Sequence, residues 1–131
     1  MSENTDVLKR GYEAFNNGDT DTVASLFADD VRWEGPNTEG VPMSGVNEGK
    51  DKVLEALTRI GSKMFASFQV TPDEMVEQGD TVVVLSHVDA ETVSGTEVKQ
   101  PGVEIWRMSD GKAKRVQSLL DTAEVKKALE S

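Results

Sequence analysis

Apolar residues recur at helical spacing near the start of the chain, at Val7, Leu8, Tyr12 and Phe15, and Asn17-Gly18 stops the helix they mark. A second short helix follows Asp19, with Val23, Leu26 and Phe27 on one stripe. Val31 to Glu34 reads as a strand ended by Gly35-Pro36, and residues 37–49, with Gly40, Gly45 and Gly49, read as a loop. Val53, Leu54, Leu57 and Ile60 mark the buried face of a helix from about Lys50 to Met64. After Phe65 the period changes to two. Strands are predicted over Phe68–Glu77, Thr81–Val93, a long run ending near Met108, and Lys112–Leu120. Gln78-Gly79-Asp80, Ser94-Gly95 and Ser109-Asp110-Gly111 supply the turns between them. A last helix is predicted over Thr122–Leu129.

Helices first and an antiparallel meander afterwards define an α+β domain with the helices packed on one face of the sheet. The strand Thr81–Val93 adds something further. Val83 and Leu85 point one way, while Val82, Val84 and Val88 point the other. On the next strand Val103 and Ile105 oppose Trp106 and Met108. A sheet with one wet face alternates more cleanly than this. The second face therefore calls for a cover from outside the chain, and a homodimer through the outer sheet face is the expectation.

Composition narrows the functions. The 131 residues make a single domain, 1–131. The chain has no cysteine and one histidine, His87, so neither a disulfide framework nor an ordinary zinc site is expected. A formal charge of −10 argues against nucleic acid, whose phosphates need clustered Lys and Arg. No stretch approaches the roughly 20 apolar residues of a membrane span. The first residues lack the basic and apolar regions of a signal peptide, and a cytoplasmic location is expected.

Several local strings, in order, resemble the nuclear transport factor 2-like superfamily, which includes SnoaL-like polyketide cyclases, ketosteroid isomerase and limonene-epoxide hydrolase. They are Gly11-Tyr-Glu-Ala-Phe-Asn-Asn-Gly-Asp19, Leu26-Phe-Ala-Asp-Asp-Val-Arg-Trp33, Gly49-Lys-Asp-Lys-Val53, Gly79-Asp-Thr-Val-Val-Val84, and Trp106-Arg-Met-Ser-Asp-Gly-Lys112 leading to Asp121-Thr-Ala123. The resemblance implies a cystatin-like cone, in which a curved antiparallel sheet wraps around N-terminal helices and encloses a pocket. It also implies a dimer through the sheet.

Carried over residue by residue, the catalytic pattern of these relatives is incomplete. The position of the isomerases' general-base aspartate is Gly35, and neighbouring Glu34 turns to the opposite face as a surface carboxylate. The position of their oxyanion tyrosine is Gly11. Tyr12 is one residue, about 100°, around the helix and reads as core. Their second oxyanion donor, an acid, corresponds to Glu104. The last-strand aspartate of the epoxide hydrolases and cyclases corresponds to Ser118, where a hydroxyl could still orient a ligand. Asp121 has capping-box spacing to Glu124 and reads as a helix cap.

His87 shares parity with Val83 and Leu85, and that face is assigned to the pocket. A His87–Glu104 pair is then a candidate for proton transfer near neutral pH; the alternative is a histidine satisfied by backbone carbonyls. Phe15, Trp33, Leu85, Trp106 and Val116 are expected to line the cavity and to suit a flat apolar ligand, unless they simply fill the core. The leading expectation is acid/base isomerisation, cyclisation or hydrolysis of a small apolar molecule without a cofactor. The alternative is a non-catalytic ligand-binding or dimerisation domain. Three vacancies, at Gly11, Gly35 and Ser118, argue against the ketosteroid isomerase mechanism.

Overall fold

A computed structural model describes residues 2–131. The first helix, α1 (Glu3–Asn17), opens with Ser2, whose Oγ accepts from the Thr5 amide at 3.1 Å. It closes at Gly18, whose left-handed φ of 73° is one that glycine adopts without strain. Leu8, wholly buried, and Tyr12 face the interior. Asp19 caps the short α2 (Thr20–Ser25) through its side chain. Leu26 and Phe27 lie beyond the end of α2 but are buried, and β1 begins four residues earlier than the pattern indicates, at Phe27–Glu34.

The glycine-rich stretch is not all loop. Residues 46–48 form a short edge strand, β2 (Val46–Glu48), which pairs antiparallel with β1. Three residues with a partly exposed pattern leave no alternation to read, so this strand has no sequence signature. The helix α3 (Lys50–Arg59) is also shorter than its periodicity suggests, because Ile60–Met64 widens into a π-helical turn before β3. The apolar stripe runs on through Ile60, which is buried, so hydrophobic period alone hides the change of backbone.

The strands β3 (Phe65–Gln78), β4 (Thr81–Thr92), β5 (Glu97–Ser109) and β6 (Lys112–Leu119) form the predicted meander. With β1 and β2 they make one six-stranded sheet in the order β2-β1-β6-β5-β4-β3. Every neighbour pair is antiparallel except β1 with β6, which run parallel. That pairing joins the start of the chain to its end and places Trp33 in register with Val116. The result is an α+β cone, a curved open sheet with α1 against β3 and α3 against β1. The last helix, α4 (Thr122–Glu130), packs on β5. Asp121 caps it by accepting from the Glu124 amide at 3.4 Å. Glu124 does not reach back as a capping box would; its carboxylate accepts from Gln100 Nε2 at 2.7 Å.

The interior is continuous. Val53, Val82, Val84, Ala113 and Val116 are wholly buried, each buried valine contributing roughly 1.5–3 kcal/mol relative to exposure. Among the described residues, no helix is long and apolar enough to cross a membrane.

One assignment from the strand pattern is reversed. Val82, Val84, Ser86 and Val88 face the core, whereas Val83, Leu85 and His87 face outward. Period-two reading separates two faces but cannot say which is inner when both carry valine and leucine. Register settles it, because Glu104 stands opposite Val84 and shares its face, while His87 stands opposite Pro101.

Candidate active site

The site begins on β5, where Glu104 and Trp106 point inward. Glu104 is in register with Val84 on one side and Ser118 on the other. Its side chain is buried, and both oxygens are occupied. Tyr12 Oη donates to Oε1 at 2.5 Å, and Ser86 Oγ donates to Oε2 at 3.0 Å. Trp106 Nε1 donates to Tyr12 Oη at 3.0 Å. An indole N–H can only donate, so the Tyr12 oxygen is its acceptor and the Tyr12 proton is directed onto Glu104. Across the strand, Trp33 Nε1 donates to Ser118 Oγ at 2.8 Å.

The rings brace one another. Tyr12 meets Trp106 edge-on at 5.9 Å, Trp33 meets Trp106 edge-on at 5.6 Å, and Phe27 stacks on Trp106 at 6.2 Å. Such contacts add about 0.5–1.5 kcal/mol each beyond burial. They also fix the two indole N–H groups that orient the hydroxyls.

Burial sets the electrostatics. It pushes the Glu104 carboxyl above its usual range, while hydrogen bonds from Tyr12 and Ser86 pull the other way without cancelling it. Burial also raises the Tyr12 phenol well above its usual 10.0, and the adjacent Glu104 charge adds to that. Tyr12 is thus a fixed donor rather than a titrating group.

Above Glu104 lies a cavity of about 90 Å³ between the sheet and the helices. A single water needs roughly 10–15 Å³ of such space, so there is room for a small organic molecule. Phe15, Phe27, Trp33, Phe68 and Trp106 supply aromatic walls; Met43, Leu57 and Ile60 supply aliphatic ones. Tyr12, Glu104 and Ser118 are its polar side chains. Ile60 belongs to the π-helical turn, so that irregular turn brings a side chain into the wall.

Five of the eight side chains singled out from sequence line this cavity: Phe15, Trp33, Glu104, Trp106 and Ser118. Three do not. Val116 is fully buried, in register with Trp33 and Trp106, and lies outside the lining. Leu85 is 39% exposed on the outer face. His87 is also on that face, where Nδ1 meets Asp73 at 2.8 Å and Nε2 approaches Asp89 Oδ2 at 3.4 Å. The Asp73 hydrogen bond chiefly raises its pKa above 6.5. His87 and Glu104 are not a pair, since strand parity puts them on opposite sides of the sheet.

Sequence did not single out the walls Phe27, Met43, Leu57, Ile60 and Phe68, nor two polar partners of Glu104, Tyr12 and Ser86. Tyr12 is core, as its helix position implies, but its hydroxyl also completes the Glu104 site. Ser86 shares parity with Val82, Val84 and Val88, so it would have pointed inward once the faces were assigned correctly.

The vacancy at Gly35 has a steric cause. A Cβ on Gly35 would sit 1.6 Å from the Met43 carbonyl oxygen, so no acid can occupy that position in this loop. A Cβ on Gly11 would lie 2.8 Å from Leu26 Cδ2, the end of a flexible side chain that can shift to admit it. Glu34 faces outward and accepts from Arg115 Nε at 2.7 Å.

With this geometry in view, comparison with known proteins places the chain. Residues 8–116 match the SnoaL-like domain, and the chain belongs to that family. A protein of unknown function from Burkholderia pseudomallei, described as NTF2-like, is 30% identical over the full length of both chains, with a TM-score of 0.92. TerC, crystallised with polyporic acid, is also 30% identical, over 99% of this chain and 100% of its own, with a TM-score of 0.89. An epoxide hydrolase from M. tuberculosis shares the fold at 18% identity, over 98% of this chain and 90% of its own, with a TM-score of 0.78. No curated protein matches the chain.

Proposed function

We propose that this SnoaL-like domain holds a small, largely apolar molecule in its cavity and that Glu104 exchanges a proton with it, in a cofactor-free isomerisation, cyclisation or hydrolysis. The observation that carries this reading is a buried carboxyl at the cavity floor, held at both oxygens by hydroxyl donors. Those donors fix its position, and burial moves its affinity for a proton toward neutrality. TerC, 30% identical over its full length, was crystallised with polyporic acid, which supports a small molecule as the occupant here. Trp33 and Trp106 form the apolar bed, and Ser118, already accepting from Trp33, keeps its own proton to offer a ligand.

A second reading, a binding domain without turnover, is favoured by the blocked position at Gly35. The reading as an enzyme therefore rests on Glu104 alone. Thermal shift and native mass spectrometry against polyporic acid, steroids, aromatic polyketides and epoxides distinguish the two. Stabilisation with turnover that is lost in Glu104→Gln and kept in Asp121→Asn supports the enzyme. Stabilisation without turnover supports the binding domain, and activity that survives Glu104→Gln refutes the role of Glu104.

A further inference from the structure

The cavity has a one-sided charge balance. Among the described residues, no Lys, Arg or His lines it, and Glu104 has no ion-pair partner. Buried carboxylates are ordinarily paired with a cation or kept neutral. Here two hydroxyls point their protons at it and favour the ionised form, but burial outweighs them and disfavours the charge. What is absent is a counter-charge.

The walls are suited to one. Tyr12, Trp33 and Trp106 meet at steep angles, 72° and 77°, so differently oriented ring faces and edges surround the same space. Aromatic faces attract organic cations, more strongly when water is excluded. Both indole protons are already spent, on Tyr12 and Ser118, so little remains to receive an anion. The Ser118 hydroxyl is the exception, and it stands directly across from the Glu104 carboxylate, which would repel an anion seated there. The overall charge of −10 also raises the local concentration of cations.

We propose that the occupant is an apolar molecule bearing an ammonium group, its nitrogen on the Glu104 carboxylate and its hydrocarbon against Trp33 and Trp106. This rests on the ligand-holding reading above and names the chemical class of the ligand. An amine supplies the N–H donors that the free lone pairs of Glu104 can accept, and its charge offsets the burial cost that raises the Glu104 pKa. A ketone of the same shape would bring another acceptor to a site already rich in acceptors.

Three probes on one ring system test this by calorimetry at neutral pH: naphthylmethylamine, naphthyl methyl ketone and naphthoate. The amine is expected to bind at least about tenfold more tightly than the ketone, with naphthoate weakest, as a charge-assisted hydrogen bond predicts. In Glu104→Gln the amine advantage should shrink to about threefold or less while ketone affinity holds. Ketone binding equal to or tighter than amine binding overturns the ammonium class and leaves the cavity reading standing. An amine advantage undiminished in Glu104→Gln also overturns it. Failure of all three to bind overturns both. The wild-type ranking is decisive by itself, so a variant that misfolds does not remove the test.

Discussion

Tyr12→Phe removes one oxygen and changes two buried partners at once. Glu104 Oε1 loses its donor at 2.5 Å, and Trp106 Nε1 loses its acceptor at 3.0 Å. A hydrogen bond to a charged group is worth about 1.5–3 kcal/mol, and a stranded buried donor costs about 1–3 kcal/mol. The two losses share one oxygen and are not additive, so the expected destabilisation is about 3 kcal/mol. For a chain of this length that lowers the melting temperature by roughly 10 °C. The phenyl ring still fills the site and keeps its edge contact with Trp106, which isolates the hydroxyl. Urea unfolding of wild type, Tyr12→Phe, Glu104→Gln and the double variant closes a cycle whose coupling energy should exceed about 1 kcal/mol. Carbon-13 NMR of the Glu104 carboxyl gives a second readout. Losing the Tyr12 donor removes an interaction that lowers its pKa, so the pKa should rise further. A destabilisation below about 0.5 kcal/mol, or a falling Glu104 pKa, would refute the proton direction assigned to this network.

Two further outcomes follow from the outer sheet face. His87 is held between Asp73 and Asp89, and its raised pKa means that it binds its proton more tightly when folded. Its stabilising contribution is therefore complete below about pH 6.5 and is lost as pH rises through the folded value. Proton NMR should place the His87 pKa above 6.5, Asp73→Asn should lower it, and no change in that variant would contradict the assignment. The same face exposes Val76, Leu85 and Leu119, and we propose that two copies pair through it. Light scattering should show a dimer that Leu85→Glu disrupts, and a monomeric wild type at micromolar concentration would remove the proposal.

The fold was legible because its elements announce themselves by period and punctuation. Leu8, Tyr12 and Phe15 mark α1, and the turns at Gly79, Gly95 and Gly111 divide the meander. The short strand β2 and the parallel β1–β6 pairing were not legible, since one has no pattern and the other joins residues more than 80 positions apart. At the site, Glu104, Trp33, Trp106 and Ser118 were within reach of alternation and family resemblance. His87 and Leu85 were misplaced because β4 is apolar on both faces, so its sequence carries no sign for inward. The register of β4 against β5 supplies that sign, and register is a tertiary fact. Tyr12 shows the complementary limit. Helical spacing identifies it as buried, but only the meeting of α1 with β5 tells what its hydroxyl touches.

The proposed function requires that a molecule occupy the cavity against Glu104. A crystal structure of the protein with the tightest ligand from the thermal-shift panel tests this directly. Ligand density is expected between Trp33 and Trp106, with one polar atom in hydrogen-bond reach of the Glu104 carboxyl. Density confined to the protein surface, or a cavity closed by its own side chains while the ligand binds elsewhere, would contradict it.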